Sequence, residues 1–322
     1  MKSSSKRVIM EIVVGLEALN KIYPDTVLTI GNYDGVHLGH QKILSTVVKK
    51  AGEMKGTSMV MTFEPHPMKV IAPERNIKLL TTTEEKARLI ETMGIHVLLL
   101  INFNKEFSSM LPDDFINEVL VKRIHVREII VGTNYTFGKH KKGTIDLLRK
   151  RGKSFGFGVQ AIRNVMVHGN IVSSSAVRSL LQRGAVHEVS QYLGRAYSIE
   201  GSVIKGKGRG QNLLHIPTAN ITTPVEIAPR EGVYAVRVNV RGSVFNGVAN
   251  IGKNPTFGNE NVSYEVHLFS FSGNLLGENI RIYFVDRIRG ERTFPDPVSL
   301  EKQIRDDIEY AKNLLNAKNP AL

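Results

Sequence analysis

His37 and His40 stand three residues apart in Thr29-Ile-Gly-Asn-Tyr-Asp-Gly-Val-His-Leu-Gly-His40. On a helix that spacing puts both imidazoles on one face, where they can donate hydrogen bonds to phosphate oxygens. The apolar run at residues 27–30 ends at Gly31, the chain turns again at Gly35, and a helical pattern starts at Gln41. This predicts a strand, a glycine-bearing loop and a helix N-terminus. Glycines let backbone approach a ligand closely, and the unpaired N–H groups of a helix start attract anions. The chemistry indicated is that of a nucleotide-phosphate site. A second anion-binding helix start is indicated at Ser173-Ser-Ser-Ala-Val-Arg178, with serine caps and Arg178 about one turn inward.

Other candidates carry two readings each. His66, between two prolines, is either a ligand or the exposed imidazole of a rigid turn, and Asn134 is a polar contact or a turn residue. The basic run Lys139-His-Lys-Lys142 has the composition of a solvated loop. Pro217-Thr-Ala-Asn220 could be a turn with polar caps, and Glu265 the polar member of a strand alternation. Lys205-Gly-Lys-Gly-Arg-Gly210 suits phosphate but equally a flexible loop.

The elements that must position these residues fall into two kinds. Up to about residue 185, short apolar runs at 58–63, 96–101 and 128–131 alternate with helical patterns at 41–55, 84–93 and 112–124. Alternating strands and helices predict a parallel sheet covered on both faces, with ligands at the carboxyl ends of the strands. From Tyr197 the pattern changes to period two, at 198–204, 232–240, 263–269 and 279–284, with hairpin signals at residues 241–243 and 272–274. These predict a small antiparallel barrel. A final amphipathic segment, residues 297–315, aligns Leu300, Ile304, Ile308, Ala311 and Leu315 for packing against it. The expected class is α/β, a Rossmann-like parallel-sheet domain at residues 1–186 followed by a β-barrel with a terminal helix at 187–322.

Composition narrows the function classes. There are 43 Lys and Arg against 30 Asp and Glu, a formal charge of +13, which suits a polyanionic partner. The absence of cysteine excludes disulfide scaffolds, thiolate metal sites and cysteine nucleophiles, and fits a cytoplasmic chain. No apolar run reaches the length of a membrane span, and the basic first residues are not followed by a signal-peptide pattern, so no membrane is expected.

Taken in order, the motifs resemble the prokaryotic bifunctional riboflavin kinase and FAD synthetase family. The residues 31–40, Thr62-Phe-Glu-Pro-His-Pro67, Asn134-Tyr-Thr-Phe-Gly138 and Ser173 to Arg178 match its adenylyltransferase module. Pro217-Thr-Ala-Asn220, Gly232-Val-Tyr234, Gly247-Val-Ala-Asn-Ile-Gly-Lys-Asn-Pro-Thr-Phe257 and Glu265-Val-His-Leu268 match its kinase module. The resemblance implies a first domain that joins FMN to AMP from ATP, yielding FAD and pyrophosphate. His37 and His40 would steady the reacting phosphates, while Ser174, Ser175 and Arg178 hold the leaving ones. Gly31, Asn32, Asp34, Gly35, His66 and Asn134 would place the substrates. The second domain would phosphorylate riboflavin, with Glu265 as base and Thr218 and Asn220 binding Mg²⁺ and the ATP phosphates. One departure is visible: His215-Ile216 replaces the family's glycine and aromatic before Pro217. It leaves open a monofunctional FAD synthetase with a relic or regulatory barrel. A nucleic-acid-binding protein is the alternative from another class, against which stand a 7% aromatic content and the lack of Trp; no nucleic acid is expected.

Overall fold

A computed structural model describes residues 9–205, 216–253 and 262–317. His215, most of the 205–214 loop and residues 254–257 of the kinase-module motif lie outside the described residues. The chain forms two compact units, Met1–Val172 and Ser173–Leu322.

The first unit is a six-stranded parallel sheet in the order β1-β4-β3-β2-β5-β6. Its strands are β1 (Glu11–Val14), β2 (Thr26–Ile30), β3 (Ser58–Glu64), β4 (Val97–Asn102), β5 (Val126–Gly132) and β6 (Gly158–Ile162). Side chains alternate across the sheet. Leu28, Met59, Leu99 and Ile129 face one way and pack with Phe115, Ile116, Val119 and Leu148, whereas Val27, Val60, Leu98 and Ile130 face Leu44, Val47 and Ile90. The second face is therefore covered by α1 (Leu38–Met54) and by α3 (Thr83–Thr92), which follows the short α2 (Pro67–Ile71). Short α4 (Lys105–Ser108) and α5 (Pro112–Asp114) lead into the first face's cover, completed by α6 (Ile145–Phe155). The helical pattern expected at residues 112–124 is present, but Phe115–Val121 is wound as a π-helix. The bonds of Lys122 N–H to Asn117 O and Ile124 N–H to Val119 O span five residues. A two-strand hairpin, β7 (Met166–Val167) with β8 (Asn170–Ile171), precedes the second unit.

From β2 the chain steps outward through β3 to β4, then crosses to β5 on the other side of β2. The order reverses between β2 and β5, and such a switch point opens a crevice at the carboxyl ends of the strands.

In the second unit α7 (Ser174–Arg183) and α8 (Val186–Leu193) pack on each other, and α8 lies on the barrel strands β9 and β14. The expected functional boundary at 186/187 thus differs from the division by packing at 172/173. The barrel closes in the order β10-β13-β12-β11-β14-β9. It is built from β9 (Tyr197–Ile204), β10 (Ala219–Thr222), β11 (Gly232–Val240), β12 (Ser243–Lys253), β13 (Val262–Leu268) and β14 (Asn279–Arg289). The turn at residues 241–243 joins β11 to β12, with Arg241 at φ 50° and Gly242 at φ 85°, the twist that suits a tight hairpin. Pro217-Thr-Ala-Asn220 does not form a turn, since Ala219 and Asn220 open β10. The closing helix α9 (Pro297–Ala317) seats Ala311 and Leu315 on Ala235, Val248 and Val285, with Ile308 packed alongside.

Candidate active sites

Three neighbouring strands, β3, β2 and β5, deliver their following loops to one end of the first sheet. After β2, Gly31 continues the ladder through its N–H to Met61 O at 3.1 Å. Tyr33 then folds back so closely that a Cβ on Gly31 would lie 3.2 Å from its ring. The buried Tyr33 hydroxyl pairs with the Thr29 hydroxyl at 2.6 Å, and burial pushes its ionisation well upward. Asn32, half-buried, accepts a hydrogen bond from the Thr62 hydroxyl through its backbone carbonyl at 3.2 Å. Asp34 is buried and accepts from the Leu80 and Thr81 N–H groups at 2.8 and 3.3 Å. Gly35 sits at φ 80° and donates to the Thr81 hydroxyl at 3.2 Å. Val36 follows at φ 40°, a conformation that costs a β-branched residue about 1–3 kcal/mol. The clamp of residues 34 and 35 on 80 and 81 holds that strain and aims the chain into α1.

His37 is the N-cap of α1, its Nδ1 accepting the His40 N–H at 3.3 Å. That bond needs the Nδ1 lone pair, so the neutral ring carries its proton on Nε2 as a donor. The His37 and His40 rings stack with centroids 3.7 Å apart and planes 17° from parallel, and the Tyr33 ring lies 5.0 Å from His40 at a tilt of 59°. His40 Nδ1 is sealed from solvent and has no hydrogen-bond partner among the described residues. Burial, and secondarily the charge of His37, hold the His40 pKa well below the usual imidazole value.

His66 resolves as a buried cap, since its Nδ1 accepts the Met68 N–H at 3.1 Å at the start of α2. Its proton is then also on Nε2. Asn134 is exposed in the turn after β5, where Tyr135 N–H reaches Gly132 O. Lys139, His140, Lys141 and Lys142 are exposed as well. The loop of residues 31–40, His66 and Asn134 thus share the carboxyl end of the central strands. Ser174, Ser175 and Arg178 occupy the first turns of α7 in the second unit, behind the N-cap Ser173, whose hydroxyl accepts Ala176 N–H at 3.2 Å.

Lys86 is the residue of this region that sequence reasoning passed over. It is buried on α3 with its ammonium 3.5 Å from Phe63 O. Burial lowers its pKa, while the charges of Glu64 and Asp34 oppose that shift. The available signal was a lysine beside Ala87, Leu89 and Ile90 on a helix that buries all four.

In the second unit, Glu265 lies directly opposite Asn220 on β10 and opposite Asn250 on β12. Its neighbours along β13, Tyr264 and Val266, fill the barrel interior, so by alternation Glu265 and His267 face outward. There they line a cavity of about 880 Å³ together with Thr218 and Asn250. Leu300 and Ile304 of α9 and Phe294 ahead of it form an apolar wall. A largely apolar cavity of this size with a few convergent polar groups suits a flat ring system carrying a polar tail. His267 Nδ1 lies 2.9 Å from Pro217 O. Asn250 and His267 were visible in the sequence only as members of longer motifs. Among the described residues no group of three or more His, Asp or Glu could hold a metal ion. The hydroxyl, amide and carboxylate of Thr218, Asn220 and Glu265 are hard oxygen donors, the set that suits a cation also bound by phosphates.

The sequence model described as FAD synthetase matches residues 19–176, and that described as riboflavin kinase matches residues 193–315. The bifunctional riboflavin kinase/FMN adenylyltransferase of Haemophilus influenzae is 36% identical over 309 residues, spanning 96% of this chain and 100% of that protein. The chain belongs to the bifunctional riboflavin kinase/FMN adenylyltransferase family. The Bacillus subtilis protein of the same name is 39% identical over 300 residues, covering 90% of this chain and 93% of its own. A crystal structure described as a macrolide-efflux protein from Streptococcus pneumoniae shares the fold, with a TM-score of 0.87 at 28% identity over 95% of this chain and 99% of that one. Among the described residues no helix is long and apolar enough to cross a membrane. Both modules of the family are present, which favours the bifunctional reading over a monofunctional FAD synthetase and over a nucleic-acid-binding protein.

Proposed function

We propose that this chain converts riboflavin to FMN in its barrel and FMN to FAD in its parallel-sheet module, using ATP in both reactions. We place the functional boundary at residues 186/187, so that α7 serves the adenylyl transfer. The support is the first family match, which extends through residue 176 and includes Ser174 and Ser175.

In adenylyl transfer an FMN phosphate oxygen attacks the α-phosphorus of ATP, the new P–O bond forms as the α–β bridge breaks, and pyrophosphate leaves. The nucleophile is already anionic, so no general base is required. The protein's task is to stabilise charge spreading over the phosphates. His37 through Nε2–H, the neutral His40 and the first N–H groups of α1 supply the donors. Gly31, Asn32 and Gly35 allow close approach of the backbone, Asp34 holds the loop, and His66 and Asn134 place the substrates. Ser174, Ser175 and Arg178 take the leaving β- and γ-phosphates.

Riboflavin phosphorylation differs in needing a base, because the ribityl 5′-hydroxyl is neutral. Glu265 accepts that proton as the oxygen attacks the γ-phosphorus and ADP leaves. Thr218 and Asn220 would hold Mg²⁺, which neutralises charge on the ATP phosphates when bound. A chain that uses ATP and free flavins in this way belongs in the cytoplasm. The single observation that carries the bifunctional reading is the register of Asn220 against Glu265 beside the cavity, since the first module alone accounts only for FAD.

The test is His40→Ala in the full chain. It is expected to abolish FAD formation from FMN and leave FMN formation from riboflavin unchanged; equal loss of both in a folded protein contradicts two independent sites.

A further inference from the structure

The limb that carries Thr218 enters the kinase site without support from the barrel ladder. Strand β10 begins at Ala219, which pairs with Val266, so the antiparallel register sets Thr218 beside His267, and among the described residues no ladder pair lies beyond that point. Pro217 has no N–H to offer. Among the described residues, one side-chain hydrogen bond reaches the limb: His267 Nδ1 lies 2.9 Å from the Pro217 carbonyl oxygen. A carbonyl oxygen only accepts, so the histidine donates, and its proton must sit on Nδ1.

This one bond fixes a great deal of geometry. The pyrrolidine ring already sets φ of Pro217 near −65°, leaving ψ as its single soft dihedral. Holding the carbonyl oxygen sets ψ, and the planarity of the next peptide then sets the direction in which Thr218 leaves. His267 stands two residues from Glu265 on the same outward face of β13, and both line the cavity with Thr218. The strand that bears the base therefore also aims the residue placed on the ATP side of the reaction.

We propose that His267 is a positioning residue of the kinase site, holding Pro217 so that Thr218 is fixed relative to Glu265. This rests on the reading of the barrel as the riboflavin kinase. Its role is distinct from proton transfer: it acts through the Pro217 carbonyl on the nucleotide limb and leaves the flavin wall of the cavity untouched.

The Asn amide nitrogen can occupy the place of Nδ1 and donate the same bond, whereas that of Gln reaches the place of Nε2. The test is steady-state riboflavin phosphorylation by the full chain and by His267→Ala, His267→Asn and His267→Gln, with ATP and riboflavin varied separately. FMN adenylation and the thermal midpoint report folding. The Ala and Gln variants are expected to raise KM for ATP about tenfold, the scale of one lost hydrogen bond, with KM for riboflavin within about twofold. Asn is expected to return KM for ATP to within about threefold of the parent. If the Ala variant does not fold, the contrast of Asn with Gln decides alone. An Asn variant as impaired as Gln, an Ala variant equal to the parent, or a defect lying in KM for riboflavin overturns the proposal. A parent that makes no FMN at all overturns the kinase reading itself, and this role with it.

Discussion

Arg289 at the end of β14 and Asp307 in the middle of α9 form a two-pronged pair, Nε to Oδ1 at 3.0 Å and Nη2 to Oδ2 at 2.7 Å. Their side chains are only 13% and 5% exposed, and both line the kinase cavity. The pair pins the closing helix to the barrel at the edge of the cavity's apolar wall. Removing one partner leaves a buried charge without its counter-ion. Asp307→Asn is expected to destabilise the second unit by about 3–5 kcal/mol, read as an earlier urea transition. Riboflavin affinity should fall with it, and an unchanged transition would show that the pair is dispensable.

His40 makes stability depend on pH. Burial depresses its folded-state pKa, so below the unfolded value, about 6.5, the unfolded chain takes up a proton that the folded chain does not. The stabilisation is complete above that pH and is lost as pH falls toward the folded value. Urea denaturation between pH 7.5 and 5.5 is expected to show this loss in the parent and a flatter response in His40→Gln. Identical slopes in the two proteins contradict a neutral His40 whose Nδ1 is sealed from solvent.

Gly35 offers a test of the loop that aims the histidines. At φ 80° an added Cβ is strained, and it would meet Leu80 Cδ1 at 2.7 Å, pushing against the residue whose N–H Asp34 holds. Gly35→Ala is expected to cost about 1–2 kcal/mol in backbone strain. A shift of the loop by about 1 Å would lower kcat for FAD formation on the order of 10²-fold. Riboflavin phosphorylation is the internal control and is expected to stay unchanged.

Strands β2 to β5 are legible as apolar runs because the inner strands of a parallel sheet are buried on both faces. The edge strands are not. Strand β1 leaves Ile12 and Val14 exposed, and β6 is only partly buried along its length. In the barrel, β12 is hidden by Gly247, where a Cβ would strike His267 O at 2.5 Å, and β10 by its polar Asn220 and Thr222. The apolar periodicity at residues 112–124 shows a helix but cannot show that its turns are π-wound. His37 and His40 are legible because glycine, histidine and a helix start coincide within ten residues. Lys86 is not, because a lysine beside apolar residues usually runs its stem along them and keeps its ammonium in water. Nor is the tie between His267 and Pro217, which joins residues 50 apart in the chain and depends on the pairing of β10 with β13.

The two-site reading meets its most direct test in the products made from riboflavin and from FMN, with ATP and Mg²⁺, by the full chain and by Glu265→Gln. The parent is expected to make FMN and then FAD from riboflavin, and FAD from FMN. The variant should lose FMN formation by about 10²–10⁴-fold, the range for a missing general base, while making FAD from supplied FMN at the parent's rate. A parent that yields FAD from FMN but nothing from riboflavin, or a Glu265→Gln variant that still phosphorylates riboflavin at the parent's rate, would contradict it.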